Sequence, residues 1–152
     1  MSTSAPLLTE EMRQQAIGRE GEPVTTDVEK GAIIKFARAI QDDNPLFNDE
    51  VAARSSRYGG LIAPPTFLRS VGTLRPELPF ELPLTRLLDG GSDWEYFHPV
   101  RPGDRITTVA KITDVSERTG RLGAMVFMTV VVTYRNQLDQ VVSTQTGTSI
   151  RY

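Results

Sequence analysis

Two short loops concentrate the side chains that could do chemistry. The first reads Asp42-Asp43-Asn44-Pro45-Leu46-Phe47-Asn48-Asp49-Glu50, and the second Tyr58-Gly59-Gly60-Leu61-Ile62-Ala63-Pro64-Pro65-Thr66-Phe67. A carboxylate such as Asp42 can move a proton as a general base. Phe47, five residues on, can neither accept nor donate one. Pro64 and Pro65 carry no N–H, so backbone donors are deleted where they stand. Asp42 also has a plain reading as a turn residue at a helix C-terminus, with Asn44-Pro45 as a loop break. Asp43 and Asp49 are expected to be solvated, and Phe47 to be core or the wall of a pocket.

The rest of the inventory narrows the chemistry further. The chain has no cysteine, which removes disulfides, thiolate metal sites and a cysteine nucleophile. Its one histidine, His98, excludes a multi-histidine metal site within a single chain. His98 lies far from the Asp42 loop in sequence, beside Pro99, and a structural role is expected for it. At 152 residues the chain is one domain with room for a real core. A net charge of -2 gives no basic footprint for nucleic acid, and no Lys/Arg run suggests a membrane surface. No apolar run approaches the ~18 residues that span a bilayer. The N-terminus has neither a positive start nor a long apolar core, so a cytoplasmic location is the default.

The elements that must position the two loops follow from periodicity. Residues 1–8 read as a loose tail, ahead of a domain over 9–152. Thr9 is an N-cap candidate, with Glu10 and Glu11 in a first helical turn. Residues 24–28 are β-branched and read as an early strand. Ile33, Phe36, Ala37 and Ile40 follow i, i+3, i+4, i+7, one face of a helix over about 29–41 that Asn44-Pro45 ends. Residues 49–54 read as a helical turn with Asp49 at its positive end. Gly59-Gly60 marks a chain reversal. Pro64 and Pro65 suit the first turn of a helix running to about Gly72, the candidate for a buried central helix. Residues 75–83 read as an ordered, partly apolar loop. Gly90-Gly91 precedes a strand over 93–98, and 101–104 is a turn. Strands are expected at 105–115, 123–134 and 141–150, with a hairpin at 136–140. On the middle strand Ala124, Val126, Met128, Val130, Val132 and Tyr134 alternate, while Met125, Phe127 and Val131 predict that the other face is covered as well. The result is an α+β domain, one antiparallel sheet wrapped around one helix.

This order and the two loops resemble the MaoC-like hydratase/dehydratase family of hotdog folds, whose signature is D-x-N-P-x-H. Asp42, Asn44 and Pro45 match it, and Phe47 stands where catalytic members carry histidine. Ala63-Pro64-Pro65 stands where they tend to carry Ala-His-Gly. The run from Trp94 through His98 to Asp104 is similar to the family's W/F-E-F-F-x-P-V-R-x-G-D. The resemblance extends from about residue 18 to residue 150. It implies acyl thioesters of coenzyme A or acyl carrier protein as ligands, and addition or removal of water at a 2-enoyl or 3-hydroxyacyl group. Fold alone does not set that function.

Hydration of an enoyl thioester needs a base for water, an acid for Cα, and donors for the oxygen where enolate charge develops. The resemblance places Asp42 and Asn44 as the catalytic remnant. It places Phe47, Tyr58, Gly60, Ile62, Ala63, Pro64, Pro65, Phe67 and Trp94 against substrate. Trp94, Tyr96 and Phe97 on a strand have ordinary packing as their plainer reading. Loss of one oxyanion donor costs ~10²–10³ in rate, and here the histidine is missing too. The resemblance therefore points to the non-catalytic half of a paired hydratase, shaping an acyl tunnel while a second hotdog subunit supplies the Asp/His pair. Alternatives are a stand-alone homodimeric hydratase using Asp42, or an acyl-thioester binding module without chemistry. No metal or cofactor is implied, and no nucleic-acid or membrane partner.

Overall fold

The computed structural model describes residues 5–152. The elements are α1 (Glu10–Ala16), β1 (Val24–Asp27), α2 (Lys30–Ala39), α3 (Pro45–Asn48), α4 (Glu50–Arg54), a 3-10 helix (Pro65–Ser70), β2 (Leu87–Tyr96), β3 (Arg105–Gly120), β4 (Gly123–Arg135) and β5 (Val141–Arg151). The strands form one antiparallel five-stranded sheet in the order β1-β3-β4-β5-β2. This is the α+β hotdog architecture expected from the sequence.

Local signals placed most of these elements. Thr9 caps α1, its side chain accepting from the Met12 N–H. Ile33 and Ala37 on α2 are fully buried, and Phe36 packs on the core beside them. Ile40, expected on the same face, is exposed because α2 ends at Ala39 and the chain turns away through Gln41 at a φ of 57°. On β4 the alternation holds for Val126, Val130, Val132 and Tyr134, all buried. The opposite face, with Met125, Phe127 and Val131, is only half-buried rather than covered.

Four further expectations need correction. The loose tail does not extend to residue 8, because Leu8 is buried in the core and its N–H donates to Glu117 Oε2 at 2.9 Å. Residues 1–4 lie outside the described part. The strand placed after Gly90-Gly91 begins before them, at Leu87. The two glycines form an irregularity between Asp89 and Ser92, where Gly91 takes a φ of 96° that side chains rarely adopt. The third expected strand runs on to Gly120 and meets β4 through a two-residue turn, Arg121-Leu122.

The fourth correction concerns the helix after Ala63. It is buried, with Phe67 and Leu68 in the core, but it is a six-residue 3-10 helix instead of a long α-helix. The Phe67 N–H reaches the Pro64 carbonyl at 2.9 Å, and the Val71 N–H reaches Leu68, both i to i−3. Ser70 Oγ donates to the Phe67 carbonyl at 2.6 Å and takes the acceptor that the next α-turn would use. The loop after it is ordered as expected, with Leu78, Phe80, Leu82 and Leu84 packed against the core.

Candidate functional site

The Asp42 loop is held by its own polar side chains. The Asp42 N–H continues off α2 to the Ala37 carbonyl at 2.9 Å. Asp42 Oδ1 accepts from the Asn44 N–H at 3.1 Å, and Asn44 Oδ1 caps α3 through the Leu46 N–H at 3.0 Å. Asn48 Nδ2 donates to the carbonyls of Asp42 and Asn44, both at 2.9 Å. Pro45 occupies the first turn of α3, where a missing N–H costs little. Asp49 then caps α4 with one oxygen shared by the Val51 and Ala52 N–H groups.

Three loops meet through two backbone hydrogen bonds. The Ile62 N–H donates to Leu46 at 3.1 Å, and the Ala63 N–H donates to Val100 at 2.8 Å. These ties draw the 42–49, 58–65 and 97–101 segments around one cavity of about 520 Å³. Phe47 and Ile62 belong to a small core cluster with Ala37, and Leu46 and Tyr58 pack on it. That cluster is one wall of the cavity, and Tyr96, Phe97, His98 and Pro99 stand among its other lining residues. Tyr58 is fixed from both ends. Arg101 Nη1 donates to its carbonyl at 2.6 Å, and Arg57 Nη2 donates to its hydroxyl at 2.6 Å while the guanidinium lies 4.8 Å from the ring centre.

Of the expected substrate contacts, Phe47, Tyr58, Ile62, Ala63, Pro64 and Pro65 line this cavity. Gly60 does not. Phe67 instead packs edge-on against Phe36 at 5.6 Å, and Trp94 lines a separate cleft with Tyr134 and Gln145. Asp42 and Asn44 are not among the cavity residues, and their polar atoms serve the turns just described. Sequence reasoning missed Leu46, Arg57, Leu68, Tyr96, Phe97, His98, Pro99 and Val100. His98 lines the cavity despite its distance along the chain, because the Ala63–Val100 hydrogen bond crosses from one loop to the other. The run from Trp94 to Asp104 was the available signal.

The cavity is mainly apolar, with no carboxylate among its lining residues. Burial raises the Tyr96 phenol above its ordinary value, opposed by the nearby charge of Arg69. Such a space can hold an apolar group and present Arg57, Tyr58 and His98 to its polar end. It does not pair a carboxylate with an imidazole.

Residues 15–145 match the family described as the FAS1-like dehydratase domain region. A UPF0336 protein of Saccharopolyspora erythraea is 33% identical over 113 residues, covering 70% of this chain and 72% of that protein. A "Probable enoyl-CoA hydratase alpha subunit" of Thermomonospora curvata is 32% identical over 136 residues, and the match covers 77% of this chain but 42% of that longer protein. Among solved structures, a MaoC-like dehydratase from Rhodospirillum rubrum superimposes with a TM-score of 0.71 at 26% identity, covering 95% of this chain and 97% of that one.

Proposed function

Since the chain belongs to the MaoC-like hydratase/dehydratase family, in its FAS1-like dehydratase domain region, we propose that it is the acyl-thioester-binding half of a paired enoyl-thioester hydratase or 3-hydroxyacyl dehydratase. The observation that carries this reading is the cavity wall. Phe47 is buried at the position of the motif histidine, and no carboxylate lines the space. The chain shapes the acyl site, and a second hotdog subunit contributes the Asp/His pair that activates water. The description of the Thermomonospora curvata relative as an alpha subunit supports a division of labour of this kind.

In this reading Phe47, Tyr58, Ile62, Ala63, Pro64 and Pro65 contact the acyl end of a CoA or carrier-protein thioester. The prolines deny the thioester oxygen two backbone donors, so charge developing there must be met by the partner. The test is hydration of crotonyl-CoA by the chain alone, by a hotdog protein with an intact D-x-N-P-x-H, and by both together. Turnover that needs both chains, with saturable thioester binding, is the expected result. Full turnover by this chain alone overturns it.

One observation favours a second reading, a stand-alone enzyme, because His98 shares the cavity. The structural role expected for His98 rests on its distance from the Asp42 loop in sequence, whereas in the fold it lines the same cavity as Phe47. Loss of turnover in folded His98→Ala, measured without a partner, would establish the stand-alone enzyme. Unchanged behaviour leaves His98 as wall.

A further inference from the structure

A second cleft opens on the sheet side of the 3-10 helix, and the acyl cavity does not include it. Arg69 from the 3-10 helix and Arg75 from the following loop line two adjoining hollows of about 250 and 220 Å³, which also share Gln145. The floor is built. Tyr134 and Gln145 are buried, Arg75 Nη2 donates to Gln145 Oε1 at 3.4 Å, and the Tyr134 hydroxyl approaches the same oxygen at 3.5 Å. Among the described residues neither arginine is in an ion pair. Asp89 is the one carboxylate lining the cleft, and its Oδ1 is engaged by the Gly91 N–H at 2.8 Å.

The cleft and the acyl cavity are neighbours. Trp94 lines the cleft and Tyr96 lines the cavity, and the two rings stack 5.9 Å apart at 8°. Leu68 and Arg69, adjacent on the 3-10 helix, divide in the same way. Ser92 in the cleft and Tyr96 in the cavity are four strand residues apart, about 13 Å. The apolar cavity and the doubly cationic cleft thus border the same strand, β2.

We propose that Arg69 and Arg75 form a site for an oxyanion on an amphipathic ligand whose apolar part fills the Phe47–Tyr58 cavity. The inference rests on the acyl-thioester reading and adds the polarity with which the ligand lies along β2. The oxyanion is a carrier phosphate or a carboxylate at the far end of the acyl group. Two guanidinium forks suit either group. Burial pushes the Tyr134 phenol upward, and Arg75 and Arg69 are among the smaller effects that oppose it.

The experiment is calorimetric titration of the full chain, with its hotdog partner if binding requires it, using three esters. These are an acyl-CoA, the pantetheine ester of the same acyl group, which lacks phosphate, and the pantetheine ester of a dicarboxylic acid. Arg69→Gln/Arg75→Gln is expected to weaken a phosphate- or carboxylate-bearing ester by tenfold or more, while the plain pantetheine ester is unaffected. Arg69→Lys/Arg75→Lys, which keeps the charge but loses the fork, recovers only part of the affinity, and Arg118→Gln, on another surface, changes nothing. Loss confined to acyl-CoA identifies the carrier phosphate, and loss confined to the dicarboxylic ester identifies the acyl carboxylate. Affinities within twofold for all three esters overturn the site but leave the acyl-binding reading standing. Loss of subunit assembly in the double Gln variant, seen by sedimentation, also overturns it, because the arginines would then face a partner chain. No thioester binding by the unaltered protein overturns both readings together.

Discussion

Asp42 and Asn44 show how a catalytic-looking pair can be occupied by local structure. Asp42 Oδ1 and Asn44 Oδ1 are each committed to a nearby N–H. Asn44→Ala is therefore expected to cost about 0.5–2 kcal/mol in urea unfolding, as for other N-caps, while thioester affinity stays within twofold. Phe47→His alone is expected to give no efficient hydration of crotonyl-CoA. It places an imidazole in an apolar wall that Asp42 does not line, and it leaves Pro64 and Pro65 without donors. Pro65→Gly restores one backbone N–H, so the double variant Phe47→His/Pro65→Gly is the informative comparison. Robust turnover by Phe47→His alone would defeat the proline argument. Tyr134 offers a pH test. Burial is the main cause that raises its phenol above 10.0, with Thr73, Arg75 and Arg69 opposing. The folded protein then holds that proton more tightly than the unfolded chain. The stabilisation is complete below pH about 10 and is lost as pH rises through the folded value. Tyr134→Phe should flatten the fall in unfolding free energy as pH rises above about 10, read by urea titration at each pH. Ser149 is a simpler case. Among the described residues its buried Oγ has no hydrogen-bond partner, so Ser149→Ala is expected to be neutral or to stabilise by up to about 1 kcal/mol.

At the scale of elements, the short 3-10 helix shapes both clefts. It contributes Leu68 to one and Arg69 to the other, and its end releases the chain into the 71–86 loop. Another tie lies where the chain approaches β1. The Gly21 N–H bonds the Ala110 carbonyl of β3 at 2.8 Å, and a Cβ on Gly21 would collide with the Leu74 carbonyl. Backbone has little room to yield, so Gly21→Ala should destabilise by at least about 1–3 kcal/mol, the usual range for overpacking. A thermal melt shifted by less than its own error would show that the loop adjusts freely. Glycine here answers to packing with a segment over fifty residues away, which its local sequence does not announce.

For the whole molecule, the sheet ends at β1 and β2, and β2 carries exposed apolar side chains. Leu87 is 68% exposed, Leu88 52% and Tyr96 47%, with Phe97 just beyond at 52%. A free strand edge with such residues invites a second chain. The protein is therefore expected to sediment as a pair, with itself or with a catalytic hotdog subunit. A stable monomer at micromolar concentration in both mixtures would count against pairing. The architecture was legible in the chain because it rests on short-range signals. The Thr9 cap, the 33–37 helix face, the β4 alternation and the Asn136–Gln140 hairpin each act over a few residues, and the D-x-N-P loop added the family. Helix type and length after Ala63 were not legible, since they depend on which acceptors Ser70 and the prolines leave free. The site was legible in half. Phe47, Tyr58 and residues 62–65 are close in sequence and stay together. His98, Tyr96 and the Arg69–Arg75 cleft are assembled by hydrogen bonds and strand pairing between distant segments, as in Ala63 to Val100 and Trp94 to Gln145. Only the tertiary structure could decide them, because contacts of that range are set by the register of the sheet and the closure of three loops.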